Sequence, residues 1–160
     1  METQLQAAAN NPDWLLQHLV ELVNTGAVGQ VTVVLTTPAG IISGEMIGGA
    51  EYFDLYAARL TKGWPQAEKE LMLETIEDWK LDFVRAEPTA ESLAEPTLNE
   101  VTDLPRFIHL EDARVFNAGT VLPTDTGMLW RGRVADITGF TLGRLGCSSR
   151  DESTGCLGES

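Results

Sequence analysis

Two glycine-punctuated β-like stretches stand far apart in this chain, and they dictate how it can fold. The first runs from Val31 to Asp54 and reads VTVVLTTPAGIISGEMIGGAEYFD. The second runs from Phe107 to Leu145 and contains FIHLEDARVF and MLWRGRVADITGFTLGRL. More than fifty acidic, helix-prone or loop-like residues separate them. Neither stretch alone supplies enough strands for a stable sheet, so one small sheet is predicted to draw on both, with the middle looped out.

Charge sharpens that division. The chain of 160 residues has a net charge of −13 and 43% hydrophobic residues, sufficient for the core of one domain. Between Gln66 and Asp103 there are eleven acidic and three basic residues, so this segment carries −8 by itself. Such a balance repels phosphate backbones and anionic lipid, arguing against nucleic acid and membrane surfaces as partners and for other proteins. The amino terminus METQLQAAANNPDW lacks a basic region followed by an apolar run, so no secretory signal is expected and the cytoplasm is the predicted location. Gly26 to Ala50 is nearly uncharged, but Gln30, Thr32, Thr36, Thr37, Pro38 and Ser43 interrupt it, as in strands rather than a membrane span.

Local signals give an order of elements. Asn11 is placed to cap a helix with Pro12 at its first position and Asp13 in its first turn. Leu15, Leu16, Leu19, Val20, Leu22 and Val23 form its broad apolar face, and Gly26 its stop. Val31, Val33 and Leu35 then alternate with Thr32, Val34 and Thr36, and Thr37-Pro38-Ala39-Gly40 makes the turn of a hairpin. Its second strand, Ile41 to Ile47, carries Gly44, the sign of a bend or bulge. These glycines lack the lysine and spacing of a phosphate loop.

Helices are predicted over Glu51 to Leu60, with Phe53, Tyr56 and Leu60 on one side, and from Pro65 onward, with Met72, Ile76, Trp79 and Phe83 in a stripe. Two readings of that stripe stand: docking on the domain's own core, or a surface for a partner. Its acids, among them Glu68, Glu74 and Asp82, read as a solvated face rather than catalytic carboxylates. Glu87 to Pro105, with three prolines and few large apolar residues, reads as a flexible linker.

Phe107 to Phe116 resumes strand character, but its apolar positions change parity, which a bulge near Glu111-Asp112 or a short turn explains. A loop from Asn117 to Gly127 leads to a strand over Met128 to Ile137, with Trp130, Gly132 and Val134 on one face and Leu129, Arg131, Arg133 and Ala135 on the other. Thr138-Gly139 predicts a second hairpin onto Phe140, Leu142 and Arg144. Arg131, Arg133 and Arg144 are the only basic cluster, read either as partners for acids such as Asp136 and Glu111 or as a contact patch. His18 reads as a surface or half-buried histidine and His109 as a sheet-face one, and Cys147 and Cys156 as reduced bystanders in a Gly/Ser-rich tail with no zinc spacing.

The expected fold is α+β: a small, strongly bent five-stranded β-barrel of SH3-like or Sm-like type, with an N-terminal helix and an acidic helical insertion. One domain is expected over residues 1–145, the insertion at about 50–105, and a flexible tail over 146–160. No nucleophile motif, nucleotide loop or metal spacing is visible, so no catalytic, cofactor or metal residue is expected.

GIISGEMIGGAEYFD, FIHLEDARVF and GMLWRGRVADITGFTLGRL together resemble the gas vesicle accessory family GvpU. Shared features are a strand with a glycine, an E-Y-F helix start, an F-I-H-L strand, and an L-W-R-G strand before a glycine turn and F-x-L-G. The resemblance implies a non-enzymatic accessory factor of gas vesicles, influencing assembly or vesicle association, with the shell or other gas vesicle proteins as partners. It has no catalytic residues to carry over. Tyr52, Phe53, His109, Trp130, Arg131 and Arg133 are the candidate interaction residues, and homo-oligomerisation stays open. The alternative is an Sm-like oligomeric or nucleic-acid-associated module.

Overall fold

The computed structural model describes residues 12–86, 104–117 and 120–145. Asn11, most of the expected linker and both cysteines lie outside the described residues. Helix α1 spans Trp14–Asn24 and is capped by Asp13, not Asn11: the Asp13 carboxylate accepts the N–H groups of Leu15 at 2.9 Å and Leu16 at 3.3 Å. A carboxylate there satisfies two orphan donors and meets the positive end of the helix. The buried stripe is narrower than its sequence pattern: Leu16 and Val20 are inside, whereas Leu15 and Leu22 face outward.

Strands β1 (Val31–Thr37) and β2 (Gly40–Ile47) form the expected hairpin, with Thr37 opposite Gly40 across Pro38-Ala39. The Thr37 hydroxyl donates to the Gly40 carbonyl and accepts the Ala39 N–H, which fixes the turn. Helix α2 (Gly49–Leu60) follows, its Gly49 N–H donating to the Asn24 side chain at the end of α1. Helix α3 (Gln66–Ala86) packs back on α2. Its stripe docks within the chain, with Ile76 and Phe83 against Phe53 and Ala57, but it meets α2 rather than the main core. Trp79 stays half exposed.

The remaining strands are β3 (Phe107–Asn117), β4 (Thr120–Leu122), β5 (Met128–Arg133) and β6 (Gly139–Leu142). They complete an antiparallel six-stranded sheet in the order β4-β3-β2-β1-β6, with β5 also paired to β3. Since β2 occupies one edge of β3, β4 and β5 share the other, end to end. Sheet assembly from both ends of the chain is thus observed as the β2–β3 pairing.

The class is α+β as expected, but the sheet is not closed: β5 pairs only with β3 and β6 only with β1. The expected C-terminal hairpin does not form either. After Arg133 the chain turns through a short 3-10 segment, Val134–Asp136, and crosses to the far edge, where the Thr138 N–H and Gly143 N–H donate to the carbonyls of Thr36 and Thr32. The open edge of β1 offers a full row of backbone partners, which outweighs a local two-residue turn. A short β4 inside the expected loop supplies the sixth strand.

The parity break in β3 is a bulge. Ser43 pairs with Arg114 and Glu45 with Glu111, while Leu110 pairs with Trp130 and Ala113 with Met128, so β3 holds one extra residue against both neighbours. Asp112 sits there at φ +46°, in the left-handed region. Gly44 lies opposite, and a side chain there would come within 3.1 Å of Leu110, Glu111 and Ala113. It is the room-giving residue, not the bulged one.

Strand alternation sorts the rest. Val33, Leu35, Ile42, Met46, Ile108, Leu110 and Ala113 face α1 and form the main core with Leu16 and Val20. The opposite face carries Ile47 and His109, and α2 lies over that end of it.

Candidate functional site

Pairing of β3 with β5 decides where the candidate residues go. His109 is opposite Arg131, Phe107 opposite Arg133 and Leu110 opposite Trp130. His109, Arg131 and Arg133 therefore share the face that α2 approaches, while Trp130 turns to the α1 side and packs partly buried on the main core. Among the candidate interaction residues, Trp130 is thus on the opposite sheet face from His109, Arg131 and Arg133.

Aromatic rings enclose His109. The Tyr52 ring lies 4.5 Å from it, and the Phe83 ring meets it edge-on at 5.6 Å. Phe53 touches both Tyr52 and Phe83, with ring centroids 5.8 and 5.6 Å away. Tyr52, Phe53, His109 and Arg131 thus gather in one neighbourhood, brought together by α2, β3 and β5. His109 is 1% exposed and Phe53 9%, so both are interior groups. Among the described residues, neither imidazole nitrogen has a hydrogen-bond partner. Burial first, and the nearby Arg131 guanidinium second, hold its pKa down to about 3 from 6.5. The ring is neutral at pH 7 and sealed from substrate, a poor position for a general base. Burial also pushes the Tyr52 hydroxyl up, partly opposed by Arg131.

The arginines divide. Arg131 is exposed, its Cζ 3.9 Å over the Phe107 ring, an arrangement that orients the guanidinium without neutralising it. Arg133 is also exposed. Among the described residues neither makes an ion pair, so the reading in which Glu111 and Asp136 neutralise them is not what forms. Glu111 instead meets Arg59 of α2 at 3.8 Å, and Arg144 lies away from the other two, 3.0 Å from Asp112.

Lys80 of α3 bonds Asp54 of α2 at 2.7 Å, and this bond is the leading cause that raises its pKa. His18 is exposed beside Glu21. No three His, Cys, Asp or Glu side chains among the described residues are grouped to hold a metal ion. No helix among them is long and apolar enough to cross a membrane.

Phe83 and Arg59 were missed as neighbours of the site. The last apolar position of the α3 stripe was the available signal for Phe83, and Arg59 gave none.

Comparison with curated proteins and with solved structures yields no match. A family profile described as "Gas vesicle protein GvpU-like" matches residues 13–145, from the cap of α1 to the segment after β6. That span includes the aromatic enclosure, the β5 arginines and every strand of the sheet. The chain therefore belongs to the GvpU-like family of gas vesicle proteins.

Proposed function

We propose that this chain is a non-enzymatic accessory protein that modulates the assembly of gas vesicles or their association with one another. It acts in the cytoplasm at the vesicle, and Arg131 and Arg133 on β5 contact a shell or other gas vesicle protein. The family membership over residues 13–145 carries this reading. Geometry supports the choice of contact: two exposed guanidinium groups on one strand face, without acidic partners among the described residues, border an aromatic interior that holds the strand in place. Charges of this kind set partner choice and encounter rate more than fold stability.

The test is co-flotation of the purified chain with intact gas vesicles, for wild type and for the double variant Arg131→Glu, Arg133→Glu. We expect the variant to keep the wild-type unfolding free energy within about 0.5 kcal/mol and to lose most vesicle binding. Unaltered vesicle binding by the folded variant would remove β5 from the contact. Failure of the wild-type chain to float with vesicles, together with salt-steep RNA binding, would overturn the accessory reading itself.

A further inference from the structure

We propose that a second site, remote from the β5 arginines, binds a carboxylate ligand between β2, β3, β4 and the segment after β6. A cavity of about 500 Å³ opens there, within the range of small-ligand sites. It lies on the sheet face that α2 covers at its other end, where Ser43 pairs with Arg114.

Its polar lining has more donors than acceptors. Arg114 Nη2 donates to Asp112 Oδ1 at 3.4 Å and to the Asp125 carbonyl at 3.0 Å. Arg144 Nη1 reaches Asp112 Oδ2 at 3.0 Å. Asp112 Oδ1 also accepts the Gly127 N–H at 3.1 Å, so this carboxylate is well supplied. The guanidinium groups are not: each has five N–H donors, and among the described residues each engages partners through a single nitrogen. Ser43, 3% exposed, accepts the Leu145 N–H at 3.1 Å and keeps its own proton to donate. Asp112 and the Asp125 carbonyl thus leave several of these donors free for a further acceptor.

Charge and shape narrow the ligand. Two guanidinium groups facing one carboxylate leave a single net positive charge, which a singly charged carboxylate neutralises and a phosphate dianion exceeds. Phe116, Val121 and Leu145 supply an apolar wall for the carbon chain behind such a group. The same chemistry is offered by a free organic acid and by a glutamate side chain of a protein.

The experiment is an amide-resolved NMR titration of the full chain with pentanoate, with a capped peptide carrying one glutamate, and with inorganic phosphate. Saturable shifts at Ser43 and Leu145 with pentanoate or the peptide are expected, phosphate being weaker than both. Tighter binding of the peptide identifies a protein-borne carboxylate, and tighter binding of pentanoate a free acid. Arg144→Gln should weaken the better ligand by about tenfold. Asp112→Asn, which keeps a residue tolerant of positive φ, should tighten it by doubling the net positive charge. Absence of saturable shifts with both carboxylates, phosphate binding at least as tight, or an Arg144→Gln chain with wild-type affinity would overturn the proposal and leave Asp112 as a clamp on the bulge. None of these results bears on vesicle binding through β5.

Discussion

The two faces of the sheet are built on different chemistry. On the α1 side, Leu16, Val33, Leu35, Ile108 and Leu110 are fully buried, an aliphatic core with no titratable group among them. On the α2 side, the layer is aromatic, encloses an imidazole with two unpaired nitrogens, and is bordered by Arg131 and by the Arg59–Glu111 pair. Aliphatic packing rewards burial alone, whereas an unpaired buried imidazole costs desolvation that neighbouring rings must offset. Stability should therefore reside mainly on the first face and sensitivity to conditions on the second.

The strongest way to break this contrast is to damage the aliphatic face. Leu110→Ala should cost about 2–5 kcal/mol in urea unfolding, approaching the whole stability of a domain of this size. A loss below about 1 kcal/mol would mean that the helical layer carries the fold.

Removal of α3, the outer layer of the second face, is the next step. In our reading, residues 50–105 are an insertion, so replacing residues 66–103 with a flexible linker should leave sheet and α1 folding cooperatively, at a stability lowered by roughly 2 kcal/mol through the loss of Ile76 and Phe83 from α2. Pro105 stays in this design because it is buried and its carbonyl accepts from Gln17. Non-cooperative unfolding would make α3 integral to the domain.

The third test is the most specific. An unfolded chain binds a proton on His109 below about pH 6.5, whereas the folded chain resists until about 3. Stability is therefore complete above that window and falls as pH drops through it, by up to about 1.4 kcal/mol per pH unit. Besides His109, α2 contributes the Tyr52 hydroxyl, β5 contributes Arg131, and α3 meets the ring with uncharged Phe83. His109→Leu should remove this slope while remaining at least as stable near pH 7, since two unpaired polar atoms disappear. Parallel urea-midpoint curves for the two proteins between pH 7 and 4 would show that the enclosure does not hold the imidazole neutral.

The sequence made some of this contrast legible and hid the rest. Alternation in Val31 to Leu35 and the parity break at Glu111-Asp112 are local, backbone-encoded patterns, and both were readable. Alternation also separates Trp130 from Arg131 and Arg133. It cannot name a partner strand, so Thr138-Gly139 suggested a hairpin where Gly139 in fact pairs with Thr36. His109 was placed on a sheet face, but that Tyr52 and Phe83 would cover it depends on how α2 and α3 pack, which no spacing within β3 encodes. Arg144 looked like a third member of the β5 cluster because sequence proximity stood in for space, while β5 and β6 lie on opposite edges.

The extra residue in β3 has a further consequence. Ile108 and Leu110 enter the aliphatic core at even positions, and Ala113 and Val115 at odd ones. Struck from the chain, Asp112 would let β3 match β2 and β5 residue for residue, with each remaining side chain on its present face. The strand register on either side does not require it. What it contributes is thus not pattern but a carboxylate, held out in a left-handed backbone where Arg114, Arg144 and the Gly127 N–H converge.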